Sequence, residues 1–288
     1  MAGQTYVSWP GYEWGGAPSA SMSFVQVWGS DAVLAPGTGV VQAIRLDGEN
    51  LRVDFLGLQW MRFYLSRLAT TSVAVGDRVV AGDRVGTRRR EPRLGRLAPV
   101  DLGVINLAAS NSFVSPSRYT DDVRLGEDPL KYFVKPLKSQ IRGYRAYPNP
   151  DARLDYDVPG TLMGLWFEES VSMTDSLSAS KSDQRLWFVY TNRTEGAGYG
   201  PRSLRISTPA IAIMGMGTPL PGSQHPEEIT PAGGFTIIHM EPDSHMPSWP
   251  VRLLVEMQSA TRVRAEAYWG PADTAPTHFT DKARTYIR

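Results

Sequence analysis

The sequence predicts a mainly β protein made of two β-rich domains. Three observations carry that expectation. Apolar runs are short and alternate with polar residues, which is the period of a half-buried strand. Gly (27) and Pro (22) recur between those runs, beside Asp and Asn turn residues. The 288 residues, 42% of them hydrophobic, suffice for more than one core. The chain divides into an irregular N-terminal arm (1–23), a first β domain (24–135), a junction (136–160) and an antiparallel β-barrel or sandwich (161–288).

The arm contains "YVSWPGYEWGG", four aromatics without an evident strand partner. Strands begin at "SFVQVWG". "GVVQAIRL" and "NLRVDFLG" flank Asp47-Gly48, a strong hairpin signal because both residues tolerate the positive φ of a tight turn. "MRFYLSRL" follows. Then "SVAVGDRVVAGDRVG", 72–86, repeats one Gly-Asp turn, as "VGDRV" and "AGDRV". Its glycines suit tight turns, and Asp77 and Asp83 are expected to cap them. "RRREPRLGR", 88–96, reads as a basic solvated loop and "PVDLGVINL" as a buried strand. Residues 118–133 read as loop with one helical turn. The stretch 134–160 holds four prolines and little periodicity, hence the junction. "TLMGLWFEE", "QRLWFVYTN", "SLRISTPAIAIMG", "GGFTIIHME", "WPVRLLVEMQS" and "TRVRAEAYWG" supply the strands of the second domain, with "HFTDKARTYIR" closing it.

Composition excludes several classes of function. Net charge is +1, so no overall field recruits nucleic acid or an anionic membrane. The chain has no Cys, which excludes thiol catalysis, disulfides and Cys-ligated metal. No apolar run approaches the roughly 20 residues of a transmembrane helix. The N-terminus lacks the basic start and apolar core of a signal peptide.

From Val27 to about Asn106 the chain resembles the lysostaphin-type (LytM-like) zinc endopeptidases. The resemblance rests on Asp31, the turn "APGTGVVQA", the stretch "LSRLATTSVAVGDRVVAGDRVG" and "DLGVI", in that order. It implies a small β fold that cuts peptidoglycan cross-bridges with a zinc ion held by His and Asp. It also implies where those ligands should stand: Val27, Asp31, Arg67, Asp101 and Gly103. Only Asp31 matches the family. Arg67 replaces the His of its Tyr-x-His-Leu element, Leu65 replaces that Tyr, and Asp101 and Gly103 replace its His-x-His. All four His of the chain lie further on. Zinc hydrolysis needs about three protein ligands and an open position. An Arg67–carboxylate pair is therefore expected in place of the metal, with Asp31, Arg67 and Asp101 as the remnant site, no catalytic residues and no cofactor. The Gly-Asp turn also occurs in biotinyl and lipoyl carriers, but no Lys stands at a hairpin tip here.

Other residues offer weaker sites. His239, Glu241 and His245 alternate in "HMEPDSH" and could share a metal on an extended strand; Pro242 makes the run read as a loop. Glu168, after Trp166, is a carboxylate beside an aromatic, as glycosidases use. Tyr144, Tyr147 and Tyr156, with Trp166 and Glu168, are candidate walls of a ligand cleft. The leading expectation is a non-catalytic binding or assembly protein on an inactivated peptidase scaffold. The resemblance adds an envelope-adaptor role, an extracytoplasmic setting, and a protein partner, glycan or cell wall as ligand. A structural subunit of a virion or surface layer, and a metal-dependent or glycoside hydrolase with its site in the C-terminal domain, stay open.

Overall fold

The computed structural model describes residues 5–7, 11–12, 18–19, 21–26, 30–58, 60–91, 96–143, 155, 157–172, 184–190, 204–207, 217–220, 222–242, 251–269 and 276–288. Among them strands predominate, in two curled antiparallel sheets with few helices. The chain forms two compact units. One is built on 19–111 and 121–154, the other on 112–120 and 155–288.

In the first unit the strand order is Thr5–Val7, Ser21–Gln26, Val100–Asn106, Met61–Thr71, Asn50–Leu56, Gly39–Asp47, Arg78–Val79. Arg84–Arg88 pairs with Ala32–Leu34 and with the end of Met61–Thr71. Part of the segment expected to be irregular is therefore extended: Thr5–Val7 adds an edge strand, with Tyr6 opposite Val25. Val100–Asn106 lies between two partners, which explains why nearly all of it is buried. Cross-strand neighbours share a face. Val53, Phe55, Phe63, Leu65, Leu102 and Val104 thus form one apolar face, and they are core.

The repeated Gly-Asp segment makes two turns of the same geometry. Gly76 and Gly82 sit at φ +96° and +95°, the left-handed region that a Cβ disfavours. The Asp77 and Asp83 carboxylates accept the N–H of Ala74 and Val80, each at 2.8 Å. The Gly76 N–H donates to Val41 O and the Gly82 N–H to Ala35 O, both at 2.9 Å. Each turn is thereby tied to the strand and loop ahead of it, and Val79 and Val85 are carried into the core.

Two segments near the expected boundaries carry structure of their own. Within 136–160, helix Lys135–Gly143 forms and belongs to the first unit; Ile141 is its buried residue, and Pro136 sits in the first turn, where its missing N–H costs nothing. Residues 112–120 belong to the second unit, because Phe113 stacks on Tyr119, and Tyr119 meets Phe167 edge-on. The basic loop is in part a ladder of Arg90–Glu91 with Arg96–Leu97.

The second unit is one eight-stranded antiparallel sheet. Its order is Leu204–Ser207, Arg185–Tyr190, Gly164–Glu168, Arg284–Ile287, Arg262–Trp269, Val251–Ser259, Phe235–Pro242, Gly217–Pro219. The expected closing strand is central: Arg284–Ile287 bridges Gly164–Glu168 and Arg262–Trp269. Trp166, Phe167, Leu186, Trp187 and Phe188 are fully buried, so strands Gly164–Glu168 and Arg185–Tyr190 read as continuous apolar runs.

Candidate functional site

The face opposite the apolar core of the first sheet is polar, and the same alternation creates it. Asp54 lies opposite Tyr64, Tyr64 opposite Gly103, and Ser66 opposite Asp101. Asp54, Tyr64, Ser66 and Asp101 are all buried. Two of the positions implied by the resemblance, Asp101 and Gly103, are on this face.

Arg67 reaches it through a bulge. Between the pairs Leu51–Leu68 and Val53–Leu65, Ser66 and Arg67 together face the single residue Arg52. Arg67 adopts φ +64°, the one non-glycine positive φ among the described residues. Bulges of this kind re-aim a side chain. Here the guanidinium Nε lies 2.8 Å from Asp101 Oδ2, with Asp101 buried and Arg67 half-exposed. A cation thus holds one oxygen of this buried carboxylate.

The position that the resemblance gives to the second His of the pair is filled by a neighbour. A Cβ on Gly103 would fall inside the ring of Tyr64, against Cζ, Cε1 and Oη. The ring is fixed from its other side, since the Arg52 guanidinium stacks 3.6 Å from its centroid. Arg52 in turn donates from Nη2 to Asp54 Oδ1 at 2.7 Å and from Nη1 to Asp122 Oδ2. Arg45 Nε donates to the other Asp54 oxygen at 2.7 Å. Burial alone would lower the pKa of Arg52. Its hydrogen bonds to Asp122 and Asp54, and their charges, outweigh that and hold it above the ordinary arginine value.

This donor set does not fit zinc. Arg67 is a cation, Gly103 has no side chain, and Val27, outside the described residues, has no donor atom in its side chain. Asp31 is exposed; its carbonyl accepts the Arg88 N–H at 2.7 Å, and among the described residues its carboxylate takes no part in the Arg67–Asp101 pair. No group of three or more His, Cys, Asp or Glu among the described residues could hold a metal. The arrangement can hold a polar ligand at the half-exposed Arg67.

The weaker candidates separate. Trp166 is fully buried; its indole N–H donates to Leu162 O at 2.8 Å and Arg288 lies 3.8 Å from the ring centroid. It is core, not a cleft wall, because the strand carrying it is covered on both faces. Glu168 is neutralised by Arg284 at 2.9 Å. His239 and Glu241 lie in strand Phe235–Pro242 rather than a loop, with His239 opposite Arg252 and Glu241 opposite Thr218. Pro242 is tolerated because it ends the strand. Tyr144, Tyr147, Tyr156 and His245 lie outside the described residues. The sequence reading passed over Tyr64, Arg52, Asp54 and Asp122. Alternation in "LRVDFL" and "MRFYLSRL" carried a signal for the first three; Asp122, 70 residues from Arg52, had none.

The chain is structurally similar to lysostaphin-type peptidase domains. The catalytic domain of the antimicrobial peptidase lysostaphin from Staphylococcus simulans is 16% identical, with 44% of this chain and 91% of that one covered and a TM-score of 0.34. The deep-sea M23 metalloprotease pseudoalterin is 19% identical, covering 42% and 75%, with a TM-score of 0.29. The SpoIIQ–SpoIIIAH pore-forming complex contributes a chain 15% identical, covering 51% and 100%, with a TM-score of 0.31. No family model and no curated protein matches the sequence.

Proposed function

We propose that this chain is a non-catalytic binding or assembly protein whose first unit reuses a lysostaphin-type β scaffold without its zinc chemistry. The observation that supports this best is the seating of the Tyr64 ring against Gly103. The space a second metal-binding side chain would need is filled by a buried, stacked aromatic. The Arg67–Asp101 pair beside it removes another ligand position. What remains is a rigid polar face with one half-exposed guanidinium, suited to hydrogen-bonding a carboxylate, a peptide carbonyl or a sugar hydroxyl. In this reading the ligand is a protein partner, or the glycan or peptide of a cell wall, met outside the cytoplasm.

The test is metal retention together with lysis. The purified full chain is incubated with excess zinc, dialysed, and its metal content measured, and peptidoglycan release is followed in parallel. The expected result is well under one zinc per chain and no release. Stoichiometric zinc with lytic activity, both lost in Asp31→Ala or Asp101→Ala, would overturn the reading. Zinc and activity lost instead with His239→Ala would move the chemistry to the second unit.

A further inference from the structure

One end of the polar face changes character. A single cross-strand row runs Arg78, Val40, Leu56, Arg62, each opposite the next. Two apolar residues are thus framed by two guanidiniums on one face. The turn just beyond Leu56 carries Leu58 and Trp60. Leu58 is 81% exposed and Trp60 68%, with Val40 at 40% and Leu56 at 37%. These side chains project from a fixed backbone: the Gly57 N–H donates to Met61 O and the Leu107 N–H to Trp60 O, both at 2.9 Å. Arg62 and Arg78 are exposed, and among the described residues neither forms an ion pair, whereas Arg45, Arg52 and Arg67 on the same sheet all do. Asp77, the nearest acid in sequence to Arg78, is committed to the Ala74 N–H.

We propose that this tip, formed by Leu56, Leu58, Trp60 and Arg62 with Val40 and Arg78, docks the protein onto an anionic lipid surface. Such docking is independent of the metal-free reading of the polar face. Trp and Leu side chains on a tight turn suit the boundary between headgroups and acyl chains, where an indole buries its body and keeps its N–H wet. Guanidiniums to either side suit phosphate oxygens. With a net charge of only +1 the attraction is local, so it depends on these two exposed cations and the apolar tip acting together. A protein socket would also take Trp60, but its binding would not depend on anionic lipid.

The test is co-flotation of the full chain with phosphatidylcholine vesicles and with vesicles in which part of the lipid is phosphatidylglycerol. Binding to the anionic vesicles is expected, with loss at high salt. Arg62→Gln with Arg78→Gln should weaken it about thirtyfold, from roughly fivefold for each cation near the surface. Leu58→Ser with Trp60→Ser should weaken it at least as much with an unchanged melting temperature, because neither side chain packs in the core. Should the serine pair melt lower, the glutamine pair decides. Absence of binding to either vesicle, equal binding to both, or wild-type binding by the glutamine pair overturns the proposal. So does a concentration-dependent dimer that the serine substitutions abolish, since a second copy would then be what covers the tip.

Discussion

Adding one methyl group at Gly103 should destabilise the first unit, although the same change usually helps a strand. Alanine in place of a strand glycine ordinarily gains about 0.5–1 kcal/mol through the unfolded state. Here the new Cβ would fall within the Tyr64 ring, so the ring must leave its seat. Tyr64 is buried, and Arg52 is stacked on it and hydrogen-bonded to Asp54 and Asp122. Overpacking costs about 1–3 kcal/mol, and losing the cation–π contact about 1 more. The net expectation for Gly103→Ala is a loss of about 2–3 kcal/mol. In a Tyr64→Ala background the clash is gone, and Gly103→Ala should become neutral or slightly stabilising. The coupling between the two sites is therefore about 2–4 kcal/mol, readable in a double-mutant cycle by chemical denaturation of the full chain. Gly103→Ala within about 0.5 kcal/mol of wild type, or strict additivity with Tyr64→Ala, would refute the claim that the ring occupies this place.

Two further outcomes follow from local geometry. Arg67→Gly should be more stable than Arg67→Ala by about 1 kcal/mol, because both lose the Asp101 ion pair and only alanine keeps the strain of φ +64°; equal melting temperatures would remove the bulge strain from the argument. Asp157 is buried, and burial raises its carboxyl pKa, opposed by the charge of Arg288 and by hydrogen bonds from the N–H of Leu165 and Val114 and from the Tyr119 hydroxyl. A raised folded pKa means that the stabilising contribution is complete below the unfolded value of 3.8 and is lost as pH rises through the folded value. Relative to Asp157→Asn, wild type should therefore lose stability as pH rises from about 4 toward neutrality; a difference between the two that stays flat over that range would contradict it.

Much of this was legible because strands alternate. "LRVDFL", "MRFYLSRL" and "VDLGVIN" each place apolar and polar residues on opposite faces, so the core face was readable without partners. The Gly-Asp turns were readable because glycine at positive φ and a capping Asp are local chemistry. The Arg67–Asp101 pair was reachable only because the resemblance fixed both positions. Elsewhere a single residue type had two meanings. Trp166 could line a cleft or the core, and it is buried. The prolines of 134–160 suggested a junction, and Pro136 begins a helix there.

What the sequence determined by itself is the β class and the twin turns, because each depends on residue identity and short-range periodicity. Tertiary structure decided the rest. Register set Tyr64 against Gly103, a bulge turned Arg67 toward Asp101, and a contact 70 residues away brought Asp122 to Arg52. Those outcomes depend on which strands become neighbours and where a ladder slips by one residue, and a one-residue slip reverses the face of every side chain that follows.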